Sequence, residues 1–485
     1  MMINTKMISK IMGSLFFIEA GFLLLCSLLA VYYRETDLTA FLTSAAITAG
    51  AGILASLAGK GAEKKLSRRD GYVIVSVAWI CFSFFGMLPY YLSGYIPSVT
   101  DAFFETMSGF TTTGASILDN IESFPHGLLF WRSMTQWIGG LGIVFFTIAV
   151  LPIFGVGSIQ LFAAEATGPT HDKVHPRIGV TAKWIWTIYL GLTLADILFL
   201  LLGGMGIFDS ICHSLTTTAT GGYSTKQSSI AAYNSPYIEY VTTLFMFLAG
   251  INFTLLYLLF LKGNFKRLWQ NTELHWYVGT VGFFTLFTTA VLVCQSPMGL
   301  EESFRKAIFQ VVSLQTTTGF STSDYMTWPP VLWALMCIIM FFGACAGSTT
   351  GGIKCIRMAI MSRVTHNEFK HIIHPNAVLP VRINRQVLSS STKSAILAFI
   401  FLYFGIILLG WLALMLFGVG FEEALSVSIS SLGNVGPGVG DCGPAHSWSA
   451  LPDPAKWISA WLMLIGRLEI FTVLLLFTPG FWKRH

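Results

Sequence analysis

The chain reads as an all-α integral membrane protein. Two leading transmembrane helices precede four pseudo-repeats of helix, re-entrant pore loop and helix, set around a central pore. Three observations predict this class. Hydrophobic residues make up 54% of the 485 and charged residues only 11%, outside the range of a soluble domain. Apolar runs of about 20 residues, the length that crosses a bilayer, recur from end to end. A Thr/Gly motif returns four times, and its glycines at 114, 221, 319 and 436 lie 107, 98 and 117 residues apart, the signature of repeated units that each supply one copy to a shared centre.

The elements follow in order. Ten spans are expected, over 11–33, 39–59, 72–95, 128–157, 183–207, 236–262, 276–298, 331–361, 394–419 and 456–480. The first follows a basic start like a signal sequence, but its apolar part is too long and lacks a small-residue cleavage site, so it is a retained span. Between alternate spans lie segments too short or too polar to cross, about 100–113, 208–220, 301–318 and 421–435. Each begins with acid: Asp101, Asp209, Glu301 with Glu302, and Glu422 with Glu423. Carboxylates suit a helix N-terminus, so each segment is expected to be a short helix whose negative end points at the Thr/Gly run. The units are 1–69 for the leading pair, then 70–170, 171–272, 273–385 (its second helix broken) and 386–485.

Cations set the orientation. Lys60, Lys64, Lys65, Arg68 and Arg69, then Lys173, Arg177 and Lys183, Lys262, Lys266 and Arg267, the stretch from Lys354 to Lys393, and Lys483 with Arg484 all fall on one side. The opposite segments are acidic, with Glu105, Asp119, Glu122, Asp324 and Asp441 among others. Both termini are therefore expected in the cytoplasm and all four Thr/Gly runs toward the outside. The net charge of +5 is explained by this topology and calls for no nucleic acid.

Non-helical backbone at membrane depth is tolerated only when buried in protein or lining a watery cavity. Four loops on one axis meet that condition by turning carbonyls inward, where a ring of oxygens replaces the hydration shell of a monovalent cation. Gly supplies the backbone freedom. The absence of ring carboxylates in the motif disfavours calcium.

Below that level, Gly343, Ala344, Cys345, Ala346, Gly347, Ser348, Thr349, Thr350, Gly351 and Gly352 interrupt a span. Gly costs roughly 1 kcal/mol against Ala in a helix, so the run either breaks into a loop beneath the ring, acting as a gate, or packs as a small-residue helix face. Arg467 lies inside the last span, where a cation costs roughly 2.5–3.5 kcal/mol on insertion scales. It either faces the pathway or is held by carbonyls and Glu469, an imperfect partner at a spacing of two. Glu19 and Asp196 are isolated acids in apolar runs; helix-end or interhelical pairing is favoured over a proton relay. His366, His371 and His374 are expected in a solvated loop. The eight cysteines are scattered and read as small buried hydrophobes. Gly139-Gly140-Leu141-Gly142 and Gly203-Gly204-Met205-Gly206 do not follow strands, so they read as helix-packing glycines rather than nucleotide loops. No nucleophile–base or metal-ligand set suggests an enzyme.

Two leading spans, four span–loop–span units and the ordered runs Thr111-Thr112-Thr113-Gly114, Ala219-Thr220-Gly221-Gly222, Thr316-Thr317-Thr318-Gly319 and Gly433-Asn434-Val435-Gly436 resemble, over essentially the whole chain, the TrkH/TrkG potassium-uptake family of the Trk/Ktr/HKT superfamily. The resemblance implies a bacterial cytoplasmic (inner) membrane protein that takes up potassium, the K+ ion being the transported ligand. It implies filter glycines Gly114, Gly221, Gly319 and Gly436, with coordinating carbonyls from Thr112, Thr113, Ala219, Thr220, Thr317, Thr318, Asn434 and Val435. Gly114, where the family's sodium-permeable members tend to have Ser, implies potassium. The fourth run departs most from Thr-x-Gly, so an asymmetric filter is expected. The resemblance also favours Gly343–Gly352 as gate loop and Arg467 as pore charge. It implies a homodimer in membrane lipid and a cytosolic, nucleotide-binding TrkA-type regulatory subunit, this chain having no nucleotide site of its own. A proton- or sodium-coupled symporter with the same fold is the alternative.

Overall fold

A computed structural model describes residues 3–63, 66–142, 178–384 and 386–483. Its helices fall into a leading pair and four units. Helices α1 (Thr5–Tyr33) and α2 (Leu38–Ala58) form a hairpin. Small residues let them approach closely, since a Cβ on Gly13 would sit 2.8 Å from the Gly52 carbonyl oxygen, as expected where lipid gives no hydrophobic drive and packing decides. The first unit comprises α3 (Arg68–Gly86), α4 (Val99–Phe110) and α5 (His126–Gly140). The second comprises α6 (Ile178–Leu202), α7 (Ile207–Thr218), α8 (Pro236–Ala249) and α9 (Phe253–Phe260). The third runs through α10 (Thr272–Gln295), α11 (Leu300–Gln315), α12 (Pro330–Phe341) and α13 (Cys355–Ile373). The fourth holds α14 (Ser390–Leu416), α15 (Phe421–Gly433) and α16 (Asp453–Arg467).

The short helices α4, α7, α11 and α15 carry their acids in the first turn: Asp101, Asp209, Glu301 with Glu302, and Glu422 with Glu423. Negative charge there offsets the exposed N–H groups. A core around buried Trp79, Trp131 and Trp448 joins the leading hairpin to the first and fourth units.

The ten expected spans are not all continuous helices. Six helices among the described residues are continuous, long and apolar enough to cross a membrane: α1, α2, α3 with its extension to Leu92, α6, α10 and α14. The second helix of each unit behaves differently. α8 and α9 meet at 107°, and α16 meets the following Phe471–Phe477 segment at 108°. α12 and α13 are separated by residues 342–354, and α5 ends at Gly140. The physical causes are local. Asn252 caps a new helix by accepting from the Thr254 N–H at 2.8 Å. Glu469 and Ile470 take left-handed φ of 52° and 58°, rare for side-chain-bearing residues. Hydropathy continues across both breaks, so an apolar window does not see them.

The basic stretch from Lys354 also differs from the expected loop. α13 stays helical to Ile373, carrying His366 and His371, and a two-residue hairpin, Arg382–Ile383 against Gln386–Val387, follows. Residues 143–157 of the fourth expected span, Lys64, Lys65, Lys173, Arg177, Arg484 and the 170/171 boundary lie outside the described residues.

Candidate functional site: a backbone ring and the loop beneath it

Each short helix ends identically. Thr112, Thr220, Thr317 and Asn434 adopt left-handed φ of 53°, 53°, 54° and 55°. The next amide in each unit, on Thr113, Gly221, Thr318 and Val435, donates back to Ser108, Thr216, Ser313 and Ser430 carbonyls at 2.8–3.0 Å. Two residues past each left-handed position stands a positive-φ glycine: Gly114, Gly222, Gly319 and Gly436. Asn tolerates this region, whereas β-branched Thr resists it. Three such threonines store strain of about 1–3 kcal/mol each.

The four glycines close a cycle. A Cβ on Gly114 would overlap the Gly221 carbonyl oxygen, one on Gly222 that of Thr318, and one on Gly319 that of Val435. One on Gly436 would approach the Thr113 carbonyl oxygen to 2.6 Å. Unit one thus meets two, two meets three, three meets four and four returns to one. Four backbone segments surround one axis.

This register corrects the sequence reading in the second unit. Gly222, not Gly221, is the counterpart of Gly114, and the equivalents of Thr112 and Thr113 are Thr220 and Gly221 rather than Ala219 and Thr220. The asymmetry expected of the fourth run lies in its side chains, not in its backbone. Units one and three brace their loops with Thr111–Thr113 and Thr316–Thr318 hydroxyl pairs, both 2.8 Å. Unit two, lacking those hydroxyls, uses Gln136, which donates to the Gly221 carbonyl at 2.7 Å and accepts from the Tyr223 N–H at 3.0 Å. Unit four uses Asn434, whose amide donates to the Thr113 hydroxyl at 3.0 Å and the Met463 carbonyl at 2.9 Å.

Sequence reasoning missed Gln136 and a further set behind the ring. Hydroxyls on Thr216 and Ser313 donate to Tyr223 and Phe320 carbonyls at 2.9 and 2.6 Å, and Ser430 accepts from the Gly436 N–H at 3.0 Å. Ser108 is the fourth member by position. All stand six residues before Gly114, Gly222, Gly319 and Gly436, a signal present in the sequence that also fixes the register, because six before Gly221 is Leu215. Glu105, read as an aqueous-boundary acid, is instead buried and paired with Arg132 at 2.6 Å. Such a pair survives burial because its remaining atoms are bonded: Glu105 also accepts from Ser116 and the Ile117 N–H, and Arg132 donates to the Ser224 carbonyl.

Beneath the ring lies the predicted small-residue run, as a loop. Phe342 and Ile353 bridge its ends, with the Gly343 N–H donating to the Ile353 carbonyl at 2.8 Å. Between them the chain touches three ring segments. The Thr349 hydroxyl donates to the Thr218 carbonyl at 3.2 Å and accepts from the Thr220 hydroxyl at 3.1 Å. The Gly351 N–H donates to the Thr317 hydroxyl at 2.8 Å, and a Cβ on Gly351 would overlap the Gly433 carbonyl oxygen. Gly347 and Gly352 have φ of 73° and 64°, which only glycine adopts freely. The Ser348 and Thr350 hydroxyls pair at 2.8 Å.

Arg467 clamps this loop. Its guanidinium donates to the Thr349 carbonyl at 2.7 Å and to the Gly139 and Gly140 carbonyls at 2.6 and 3.0 Å, joining units one, three and four. Glu469 does not pair with it; it takes Arg357 instead. Lys354, counted from sequence among the cytoplasmic cations, is buried here and donates to the Thr350 carbonyl and hydroxyl. Glu19 and Asp196 are both fully buried. The Glu19 carboxylate has no hydrogen-bond partner among the described residues, so its expected pairing is corrected, whereas Asp196 lies beside the Ser214 and Thr217 hydroxyls of α7, the interhelical pairing the sequence favours.

On the far side of the ring the loops knit into a collar. The Trp448 N–H donates to the Ser116 carbonyl at 2.7 Å, the Ile121 N–H to Gln227 at 3.2 Å, the Ala231 N–H to the Ser321 carbonyl at 3.2 Å, and the Tyr325 hydroxyl to the Gly438 carbonyl. A cavity of about 80 Å³ opens inside it, directly against Gly114, Gly222, Gly319 and Gly436.

Re-entrant helices ending in a common backbone ring, embedded in long apolar helices, define a helical membrane transport protein. The comparisons agree. Residues 38–484 match the family TrkH, described as cation transport protein. The chain is 37% identical over 485 residues to the Trk system potassium uptake protein TrkH of Escherichia coli K12, covering 99% of each chain. It is 32% identical to the TrkG protein of the same strain, again over 99% of each. The crystal structure of the potassium transporter TrkH from Vibrio parahaemolyticus superposes with a TM-score of 0.89 at 34% identity, covering 99% of both chains. The chain belongs to the TrkH family and is a transport protein, not an enzyme.

Proposed function

We propose that the protein takes up potassium across the bacterial cytoplasmic membrane, both termini inside, through a central filter. Its coordinating carbonyls are those of Thr112, Thr113, Thr220, Gly221, Thr317, Thr318, Asn434 and Val435. The observation that carries this reading is the closed cycle of glycine-to-carbonyl approaches, which sets one oxygen from each unit about a common axis. Such a ring replaces the water an ion sheds. Gln136 takes one lone pair of the Gly221 oxygen and leaves the second for the axis. The names of the relatives and Gly114 support potassium as cargo. The membrane potential, about 2.3 kcal/mol per charge per 100 mV, draws it inward.

The loop 342–354 is the gate, and Arg467 is its latch. Held by three carbonyls, Arg467 keeps Thr349 and Gly351 against the underside of the ring. α13 starts at the end of this loop and runs to Lys370 and His371, so it is the lever for a cytosolic, nucleotide-loaded TrkA-type subunit docking on the basic face. The translocating chain works as a homodimer. Reconstituted flux of potassium, rubidium, sodium and lithium, with and without that partner, tests the reading: potassium and rubidium pass preferentially and nucleotide on the partner changes the rate. Equal passage of all four ions would refute it.

A second reading, proton-coupled uptake, is favoured by one observation: Glu19, buried with no hydrogen-bond partner among the described residues, is chemically suited to hold a proton. Coupled uptake would acidify the vesicle lumen in step with potassium entry at clamped voltage; channel-like uptake would not.

A further inference from the structure

The cavity above the ring has an unexpected charge. A cation pathway is expected to open through carboxylates, yet the acids near this mouth are used to hold loops. Glu122 accepts from the Gln227 N–H and Asp119 from Ser449. Among the described residues lining the cavity there is no Asp or Glu, and the charged side chains there are Arg132 and Lys226.

These two cations differ. Arg132 is buried and neutralised by Glu105, with its guanidinium 3.7 Å from the Tyr223 ring centre. Lys226 has a fixed root and a free head. Its N–H donates to the Ser224 hydroxyl at 2.9 Å, and the next amide donates to Glu122 at 2.9 Å. The ammonium makes no hydrogen bond among the described residues. It stands 3.9 Å from Asp209, with 36% of the side chain exposed, while the other Asp209 oxygen accepts from the Thr225 hydroxyl at 2.7 Å. An ion pair that long and that exposed holds weakly. An ammonium is a compact point charge on a flexible stem, with donors only. It therefore seeks the same oxygen ligands as the transported ion.

We propose that Lys226 is a tethered competitor and valence filter at the outer mouth. This rests on the potassium-filter reading above. Its ammonium samples the approach to the ring, yields to an arriving monovalent ion, and repels a divalent ion with twice the energy. The Boltzmann factor against a divalent is then the square of that against a monovalent, and both shrink as salt screens the mouth.

The test is rubidium uptake by intact cells lacking their own potassium uptake, at about 10 mM and about 200 mM ionic strength, where the Debye length falls from about 30 Å to below 10 Å. Membrane abundance is measured in parallel, and external barium serves as the divalent probe. Lys226→Gln is expected to lower the half-saturating rubidium concentration about three- to tenfold at low salt, and the half-inhibiting barium concentration by about the square of that factor. Both shifts fade at high salt, and Lys226→Arg keeps wild-type values. Lys226→Cys should behave as Gln, return toward wild type with a cationic thiosulfonate, and move further away with an anionic one. The unsubstituted chain controls for exposed Cys294. A structural role would not follow the sign of the reagent.

Superposable rubidium and barium curves for wild type and Lys226→Gln at low salt, or a Lys226→Cys response blind to reagent sign, would overturn the proposal. If instead barium fails to inhibit the wild type and Gly114→Ser leaves rubidium-over-sodium preference unchanged, the filter reading fails, not the Lys226 inference alone.

Discussion

In the ring, four units of different sequence converge on one conformation. Thr112, Thr220, Thr317 and Asn434 agree in φ between 53° and 55°, and each is followed by the same return hydrogen bond. In the layer just beneath, the same four units part company. One helix stops at Gly140, one bends at Gly250, one opens into a thirteen-residue loop over 342–354, and one turns through left-handed Glu469 and Ile470. The difference teaches where each constraint acts. On the proposed reading, an ion on the axis demands equal oxygens from all sides, so symmetry is kept where coordination would be made. A gate needs one moving part, so symmetry is broken where the pathway would close. Arg467 makes the point physically: one residue from one unit bonds backbone in two others.

The comparison can be broken most forcefully at its symmetric half. Gly222→Ala puts a Cβ into the Thr318 carbonyl and pays the left-handed penalty of about 1–2 kcal/mol. Rubidium uptake per membrane-inserted protein should fall at least about 100-fold, equivalent to about 2.8 kcal/mol. At Gly221 the obstacle is the Gln136 side chain, which can shift, and the equivalent positions hold Thr and Val; Gly221→Ala should cost about tenfold or less. Equal losses at both sites would restore the register read from sequence.

The asymmetric half responds in the opposite direction. Arg467→Gln removes charge-assisted hydrogen bonds worth about 1.5–3 kcal/mol each, so partner-free flux should rise about tenfold. Unchanged or lower flux in a well-folded variant would remove Arg467 from the latch. Shortening the loop within 346–351 should likewise raise flux.

A smaller rise, about threefold, is expected for Glu469→Gln. It weakens the Arg357 contact that ties the start of α13 to the break after α16, and an ion pair with a partly exposed carboxylate is worth about 0.2–1 kcal/mol. The smallest effect belongs to Thr349→Val, which deletes two hydroxyl contacts at 3.1 and 3.2 Å near the long end of the hydrogen-bond range. Leak should rise about twofold, since such bonds net about 0.5–1.5 kcal/mol. A Thr349 effect larger than that of Arg467 would invert the assignment of latch and contact.

Much of the symmetric half was legible. Repetition of Thr/Gly runs, acids at the start of each short helix and the flanking apolar spans placed the elements and most ring residues. The second register was misread because Gly221 and Gly222 are adjacent and either completes the motif; the hydroxyl six residues earlier, Thr216, resolves it. Left-handed Thr112, Thr220 and Thr317 were not legible, because β-branching argues against that conformation and only the closed ring enforces it. In the lower layer, the glycine-rich run announced the loop of unit three. The bends at Gly250 and Leu468 were hidden because apolar residues continue through them. The partner of Glu469 is Arg357, 112 residues away in sequence, a distance no local pattern spans.

The central claim is that four backbone oxygens share one ion. Anomalous diffraction from crystals soaked in rubidium tests it most directly. The account predicts a peak on the axis, within coordination distance of the Thr113, Gly221, Thr318 and Val435 carbonyl oxygens, that weakens when sodium replaces rubidium. No peak inside that ring, or a peak bound to one unit away from the axis, would contradict it.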